Sequence, residues 1–503
     1  MIKKVAILCT LLCVAFVSQA QELRINITAG TLSSVINQDF TSLTITGTMD
    51  VRDFAYLHDN AMHMTSIDLS GVAIAGYDNR DEQYMGYHSH FEAHAIPPST
   101  FFGFTALQEV VLPAGVTAIG EGAFAGCTAL TTVSGAESLQ RINDYAFSGC
   151  AQLTTLPLSN GLKYIGDYAF DKCVAIERVD LSACATLTHI GARAFGLNTS
   201  LSTVQLPASV QKIGNAAFAG CSALTSVVMP TSLVSMGEGV FASCTALNSI
   251  DLSGCGVAEL PAWSFSGCAQ LQRVVLSEPM TTIGEGAFYY CTSLGSLVLP
   301  ADITLIEGFA FAGCSGLNEI AFIPEAVETI ERYAFYNNTQ AGSVYIPAQV
   351  SYIGDHAFDG CINAQTFTTI REIPAELGDD VFVNMAVENK TLMVCPSAAS
   401  IYQSTAQWQD FGTINGAATS VEEVETAAEL QAYFEQYNLV VSSSQEMTEV
   451  RLYNVNGVLL SLVTPHAADV EIDTRHLVDN VYLLFVTTAD GHRQVTKLAR
   501  IIR

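Results

Sequence analysis

Apolar residues recur along this chain at a fixed spacing from Phe101 to Phe382. An anchoring Phe stands at 101, 124, 147, 170, 195, 218, 241, 265, 288, 311, 335, 358 and 382, at intervals of 23 residues with a few of 24 and one of 25. Counted from Phe288, the other apolar positions of one unit are Leu294, Leu297, Leu299, Ile303 and Ile306, before the next Phe at 311. That series fits neither a helix period nor strand alternation over its whole length. It predicts a coil that turns once per repeat, with a short strand at L-x-x-V-x-L and a turn at I-G-x-x-A-F. A period of this size marks a solenoid, in which each unit buries its apolar face only by stacking on its neighbours.

The breaker residues agree with this reading. Pro113, Pro207, Pro230, Pro300 and Pro347 follow the strand directly, where a residue without an N–H ends a ladder. Gly120, Gly166, Gly214, Gly284 and Gly354 fall in the turn, and the expectation is that they supply positive φ. Pro157 stands inside LTTLPLS, so a disturbed rung is expected there. Rungs about 4.8 Å apart make a parallel sheet roughly 60 Å long over thirteen rungs.

The repeated phrase, as in IGEGAFAGCTALTTV or IGEGAFYYCTSLGSLVLP, resembles the BspA-like leucine-rich repeats of bacterial surface antigens. The resemblance covers about 300 residues. It implies a fold class of leucine-rich-repeat solenoid, a parallel β-sheet with turns and short helical or irregular segments, used for binding and adhesion.

Composition and charge add the compartment. Lys3 and Lys4, the apolar run Val5 to Val17 and the small residues around Ala20 read as a secretory signal peptide over residues 1–20. Cys9 and Cys13 leave with it, and the Leu before each argues against lipid anchoring. Without Lys3 and Lys4 the chain keeps 19 of its 21 Lys and Arg against 49 Asp and Glu, a net charge near −30. Nothing so acidic is expected to bind nucleic acid, since phosphate neutralisation supplies most of that affinity. No later run is long and apolar enough for a transmembrane helix.

Residues 21–100 break the period and read as an N-terminal solenoid cap, with irregular rungs at LTITGTMD and MTSIDLSG. His88, His90 and His94, with Glu92 between them, are the one candidate metal group, set against a polar loop; no cofactor is expected. Nine cysteines occupy one repeat position: 127, 150, 173, 221, 244, 268, 291, 314 and 361. Asn198 and Asn338 fill the same slot, and equivalent side chains on stacked rungs point the same way, so the column reads as buried thiols donating to carbonyls rather than disulfides. Cys184 and Cys255 belong to the variant rungs DLSACATL and DLSGCGVAEL, which lack the strand-ending Pro. Acids recur three residues before the Phe, at Glu121, Asp144, Asp167, Glu238, Glu285, Asp355 and Asp379. They read as caps for backbone N–H groups, with a bridging divalent cation as the alternative.

The x positions of the strand form the outward face, rich in hydroxyls and amides. Its candidate ligand-binding residues are Thr155, Arg178, Gln205, Asp251, Arg273, Glu319 and Tyr345. With one aromatic among them, a broad polar contact with an extended protein fits better than a tight pocket.

The repeats run over 101–391. Residues 392–417, with Tyr402, Trp408 and Phe411, resemble the terminal segment of the same family and read as a C-terminal cap; 418–434 is a linker. Residues 435–503 read as a small all-β sandwich domain with turns at Asn456-Gly457 and Asp490-Gly491. Its Y-N-V-N-G turn, the I-D-x-x-x-L rung at Ile472, the V-Y-L-L strand at Val481 and the final K-L resemble a type IX secretion sorting domain. The usual N-P-x opening is replaced by YNLVVSS. The resemblance implies export to the cell surface or beyond, through that secretion machinery.

No G-x-S-x-G, H-E-x-x-H, phosphate loop or paired C-x-x-C is present, so no enzyme is expected. The sequence thus predicts a surface-displayed binding protein, an adhesin for an extracellular host or matrix protein. The alternative is a structural or envelope-assembly component without a host ligand.

Overall fold

In a coil of some 23 residues only a few groups can reach their own rung, so most backbone hydrogen bonds must run to the next one. The Phe column shows this. In the computed structural model, the amide of Phe218 donates to the carbonyl of Val240, that of Phe241 to Ser264, and that of Phe265 to Ala287. The structure describes residues 22–36, 38–84, 87–295, 297–415, 430–435, 438–454, 459–475, 477, 480–489 and 493–500. The signal-peptide segment, most of the 418–434 linker and the two Asn-Gly and Asp-Gly turns lie outside them.

The chain divides into two compact units, one ending at Gly161 and one beginning at Leu162. The first, and the second as far as Asn415, are built of stacked parallel coils. In the first, the strands Glu22–Ile27, Ser42–Met49, Ser66–Ile74, Glu109–Val111 and Thr132–Ser134 lie side by side in that order. A helix, Val51–Asn60, follows the second strand, closed by a capping box between Asp50 and Asp53. The segment around the histidines is not a loop: Tyr77–Tyr84 and Tyr87–Phe91 pair as an antiparallel hairpin.

The second unit carries two parallel ladders where the sequence predicts one. The first is the expected strand, as in Arg178–Asp180, Thr203–Gln205, Ser226–Val228, Ser249–Asp251 and Arg273–Val275. The second lies in the segment read as a turn: Lys212–Ile213, Thr282–Ile283 and Tyr352–Ile353 are two-residue strands that pair in register with their neighbours. The first ladder is interrupted after single bridges at Val298 and Ile320 and resumes at Ser343–Ile346 and Thr366–Thr369.

The turn glycines are required for a different reason from the expected one. Gly120, Gly214, Gly284 and Gly354 do not have positive φ. Instead, a Cβ at Gly354 would lie 2.4 Å from the backbone nitrogen of Arg332, and one at Gly214 would lie 2.5 Å from that of Ala192. Close approach of consecutive coils excludes a side chain there. Positive φ falls elsewhere, in two slots two residues before and two after each Phe, as at Tyr333 (56°) and Asn337 (58°) around Phe335.

Inside the second unit the Phe rings stack face to face, 5.4 Å apart for Phe170 and Phe195 and 5.2 Å for Phe288 and Phe311. At the end of the stack Trp408 packs 5.2 Å from Phe382 and donates its Nε1–H to the carbonyl of Ala375 at 3.1 Å. Phe411 and Tyr402 pack against Trp408.

From Gln431 the chain forms an antiparallel sheet about one long strand, Asn438–Asn454. Leu439 and Val441 from one half of that strand share a core with Val450, Leu452 and Leu484. The register of that strand shifts between Ser442 and Met447.

Candidate binding surface

On the first ladder of the second unit, the outward side chains form columns set by register. One column reads Arg178, Thr203, Ser226, Ser249 and Arg273. Beside it run Asp180, Gln205 and Val228, and further along Asp251, Val275 and Val298. Arg178, Gln205, Asp251 and Arg273 are all exposed there, so four of the candidates share one sheet face.

Three candidates stand differently. Thr155 is exposed but lies on no strand: residues 154–158 form no ladder, as Pro157 predicts, because Pro cannot donate. Glu319 is exposed beside an isolated bridge at Ile320. Tyr345 is on the resumed ladder but half-buried; its hydroxyl donates to Glu325 at 2.8 Å, and burial, followed by that carboxylate, pushes its pKa up.

Asp251 is also occupied. Its Oδ1 accepts the backbone N–H of Ser253 at 2.9 Å and its hydroxyl at 2.6 Å, which holds the carboxyl pKa below its usual range. Asp180 and Ser182 repeat the arrangement. In the two D-L-S rungs the carboxylate thus ends the strand where other rungs use Pro. Sequence reasoning missed the apolar part of the face. Val228 is 72% exposed and Val298 41%, at x positions that the register alone would have placed outward.

The thiol column is buried, and none of the twelve described cysteines forms a disulfide. Eight thiols of the column donate to the Phe carbonyl one coil earlier, as Cys221 to Phe195 at 3.2 Å, Cys268 to Phe241 at 3.1 Å and Cys314 to Phe288 at 3.0 Å. Burial pushes the thiols of Cys221, Cys268, Cys314 and Cys361 up to about 12. Asn338 does the same work with Nδ2, which bonds the carbonyls of Phe311 and Phe335.

Two members of the acidic column cap backbone, but across coils. Asp167 Oδ1 accepts from the N–H of Ala192 at 2.7 Å, and Asp355 Oδ1 from that of Asp379 at 2.8 Å. Among the described residues no group of three His, Cys, Asp or Glu is placed to hold a metal. His90 and His94 are exposed, Glu92 is paired with Arg141, and the His88 side chain lies outside the described residues.

Stacked parallel coils with a Phe–Cys spine and an exposed polar ladder define a β-solenoid of leucine-rich repeats. The profile of the BspA type leucine rich repeat region, six copies long, matches residues 94–207, 188–318 and 281–406. Together these run from 94 to 406, more than half of the 503 residues, and the chain belongs to this family. Among solved structures, a leucine-rich repeat protein from Bacteroides ovatus is 24% identical, over 60% of this chain and 86% of that one, with a TM-score of 0.40. A leucine rich cell surface protein from Faecalibacterium prausnitzii is 20% identical over 68% of this chain and 90% of that one (TM-score 0.37). The pneumococcal vaccine antigen PcpA is 18% identical over 74% and 86% (TM-score 0.32). No curated protein matches the chain. Among the described residues no helix is long and apolar enough to cross a membrane.

Proposed function

We propose that this protein is an exported, surface-displayed adhesin that binds an extended segment of an extracellular host or matrix protein along its first ladder. The observation that carries the reading is the column Thr203, Ser226, Ser249, flanked by Arg178 and Arg273, which is outward, polar and unbroken over five rungs. Its hydroxyls suit many weak hydrogen bonds to an extended chain, and exposed Val228 adds one apolar contact. Membership of the BspA type family supports a binding module rather than an enzyme. In this reading the antiparallel domain directs passage across the outer membrane by the type IX route.

Surface plasmon resonance of the full chain over immobilised matrix proteins tests the binding. Saturable binding that falls at least tenfold in Thr203→Glu/Ser226→Glu, with unchanged melting, is the expected result. Binding confined to the envelope of the producing cell would overturn it and favour a structural component. Deleting residues 435–503 in the producing cell tests the routing: loss of surface display is the expected result, and unchanged display would overturn it.

A further inference from the structure

The slot two residues before each Phe points away from the core on the turn edge of the coil, and its φ is positive in every described rung of the second unit. The values are 56° at Tyr168, 59° at Trp263, 59° at Phe309, 56° at Tyr333 and 55° at His356. Glycine is at home in that conformation and fills the slot at Gly239 and Gly286. A bulky residue there is held against its backbone preference. Yet Trp263, Phe309, Tyr333 and His356 are only half-buried, so core packing does not account for them. Tyr290 repeats the pattern in the slot after the Phe, at φ 56° and 43% exposed, between Gly267 and Gly313.

These rings join into one surface. Trp263 meets Tyr289 edge-on at 5.7 Å, Tyr289 meets Tyr290 at 4.6 Å and Phe309 at 6.3 Å. Phe309, Tyr333 and His356 then stack at 4.8 Å steps. The slots on either side of Trp263 are Gly239 and Gly286: its ring lies over Gly286, where an added Cβ would collide with it, and Gly239 carries no side chain to cover it. One residue along the chain from the aromatic column runs the acidic one. Glu285 and Asp355 stand there, and burial, followed by the charges of Asp355, Glu376, Glu331 and Asp379, pushes the Tyr352 pKa up.

The chain already seats its own guanidinium groups on this edge twice. Arg332 lies over the Phe309 ring at 5.8 Å and pairs with Glu285 at 3.6 Å. Arg193 lies over Tyr168 at 5.5 Å and pairs with Asp171 at 3.1 Å. Ring face plus carboxylate is the combination that holds arginine better than lysine.

We propose that the turn edge from Trp263 to His356 is a second binding surface, separate from the ladder face, that takes an arginine-bearing extended segment of a partner protein. The excess of 49 acidic over 21 basic residues favours the approach of such a segment.

Tryptophan fluorescence of the full chain tests this directly. Of the two tryptophans, Trp408 is 1% exposed, so a ligand-induced change reports Trp263. The probes are an eight-residue Gly-Arg alternating peptide, its Gly-Lys counterpart and a neutral glucan hexasaccharide. The expected result is a saturable emission change with the arginine peptide at 0.15 M salt, weaker by about five- to tenfold with lysine. Tyr290→Gly and Phe309→Gly, whose slots accept glycine without backbone cost, should lower the affinity by a similar factor while circular dichroism is unchanged. Should either unfold, Glu376→Gln, on an exposed side chain, carries the same test with a smaller loss. Equal response to arginine and lysine, unchanged affinity in the ring variants, or response to the glucan alone would each overturn the proposal.

Discussion

The Sγ of Cys291 donates to the carbonyl of Phe265 across 3.1 Å, joining residues 26 apart in sequence and one coil apart in space. The same carbonyl accepts the N–H of Cys268 in its own coil at 3.0 Å. Both lone pairs of the Phe265 carbonyl are thereby used, one within the coil and one between coils. Cys291→Ala removes the second bond and the volume of a sulfur, and should cost about 1–2 kcal/mol in chemical denaturation.

Asn338 fills the same slot at a disadvantage, because its buried Oδ1 has no partner. Asn338→Cys keeps a donor for the spine carbonyl and removes the orphan acceptor. It should raise stability by about 1 kcal/mol, read from the urea midpoint.

The buried thiols also set an alkaline limit. Their folded pKa of about 12 at Cys221, Cys268, Cys314 and Cys361 lies above the ordinary 9.0. Their stabilising contribution is therefore complete below about pH 9 and is lost as pH rises from 9 toward 12, since the unfolded chain ionises first. Melting temperature should fall steeply across that window. Replacing Cys268 and Cys314 by Ala should flatten the fall. Iodoacetamide at pH 8 should label these thiols only after unfolding.

Glycine positions separate into two kinds with opposite responses. Gly354→Ala places a Cβ against the backbone of Arg332 and should cost about 1–3 kcal/mol. Ala216, at φ 55°, is the reverse case, and Ala216→Gly should gain up to about 1 kcal/mol. Thermal melts of the two variants should move in opposite directions.

Trp408 closes the aromatic stack, fully buried against Phe382 and bonded to Ala375. Trp408→Ala should cost about 3–5 kcal/mol. Protection of the nearby Phe382 and Leu392 amides in hydrogen exchange should fall before that of the coils around Phe218.

What the sequence made legible follows from what repeats. The Phe spacing, the thiol column and the broken rung at Pro157 are properties of residue type at a fixed position, so the pattern alone reveals them. The second ladder escaped because its strands are only two residues long, as at Tyr352–Ile353, too short for an alternation. The turn glycines were assigned to φ because close approach between coils leaves no mark in one copy of the repeat. Helix Val51–Asn60 carried a visible Asp50–Asp53 capping pair, but the cap segment offered no period to place it. Of the ladder candidates, Asp251 looked like a ligand group because its use by Ser253 depends on geometry at the strand end.

The central claim is that equivalent residues of successive coils lie over one another, tied by amides of the Phe column. Native-state hydrogen exchange resolved by residue tests it most directly. The account predicts slow exchange at the amides of Phe218, Phe241, Phe265, Phe288 and Phe311, which all donate to the next coil, and hence protection recurring every 23 or 24 residues. Fast exchange at these amides, or protection grouped without that period, would contradict it.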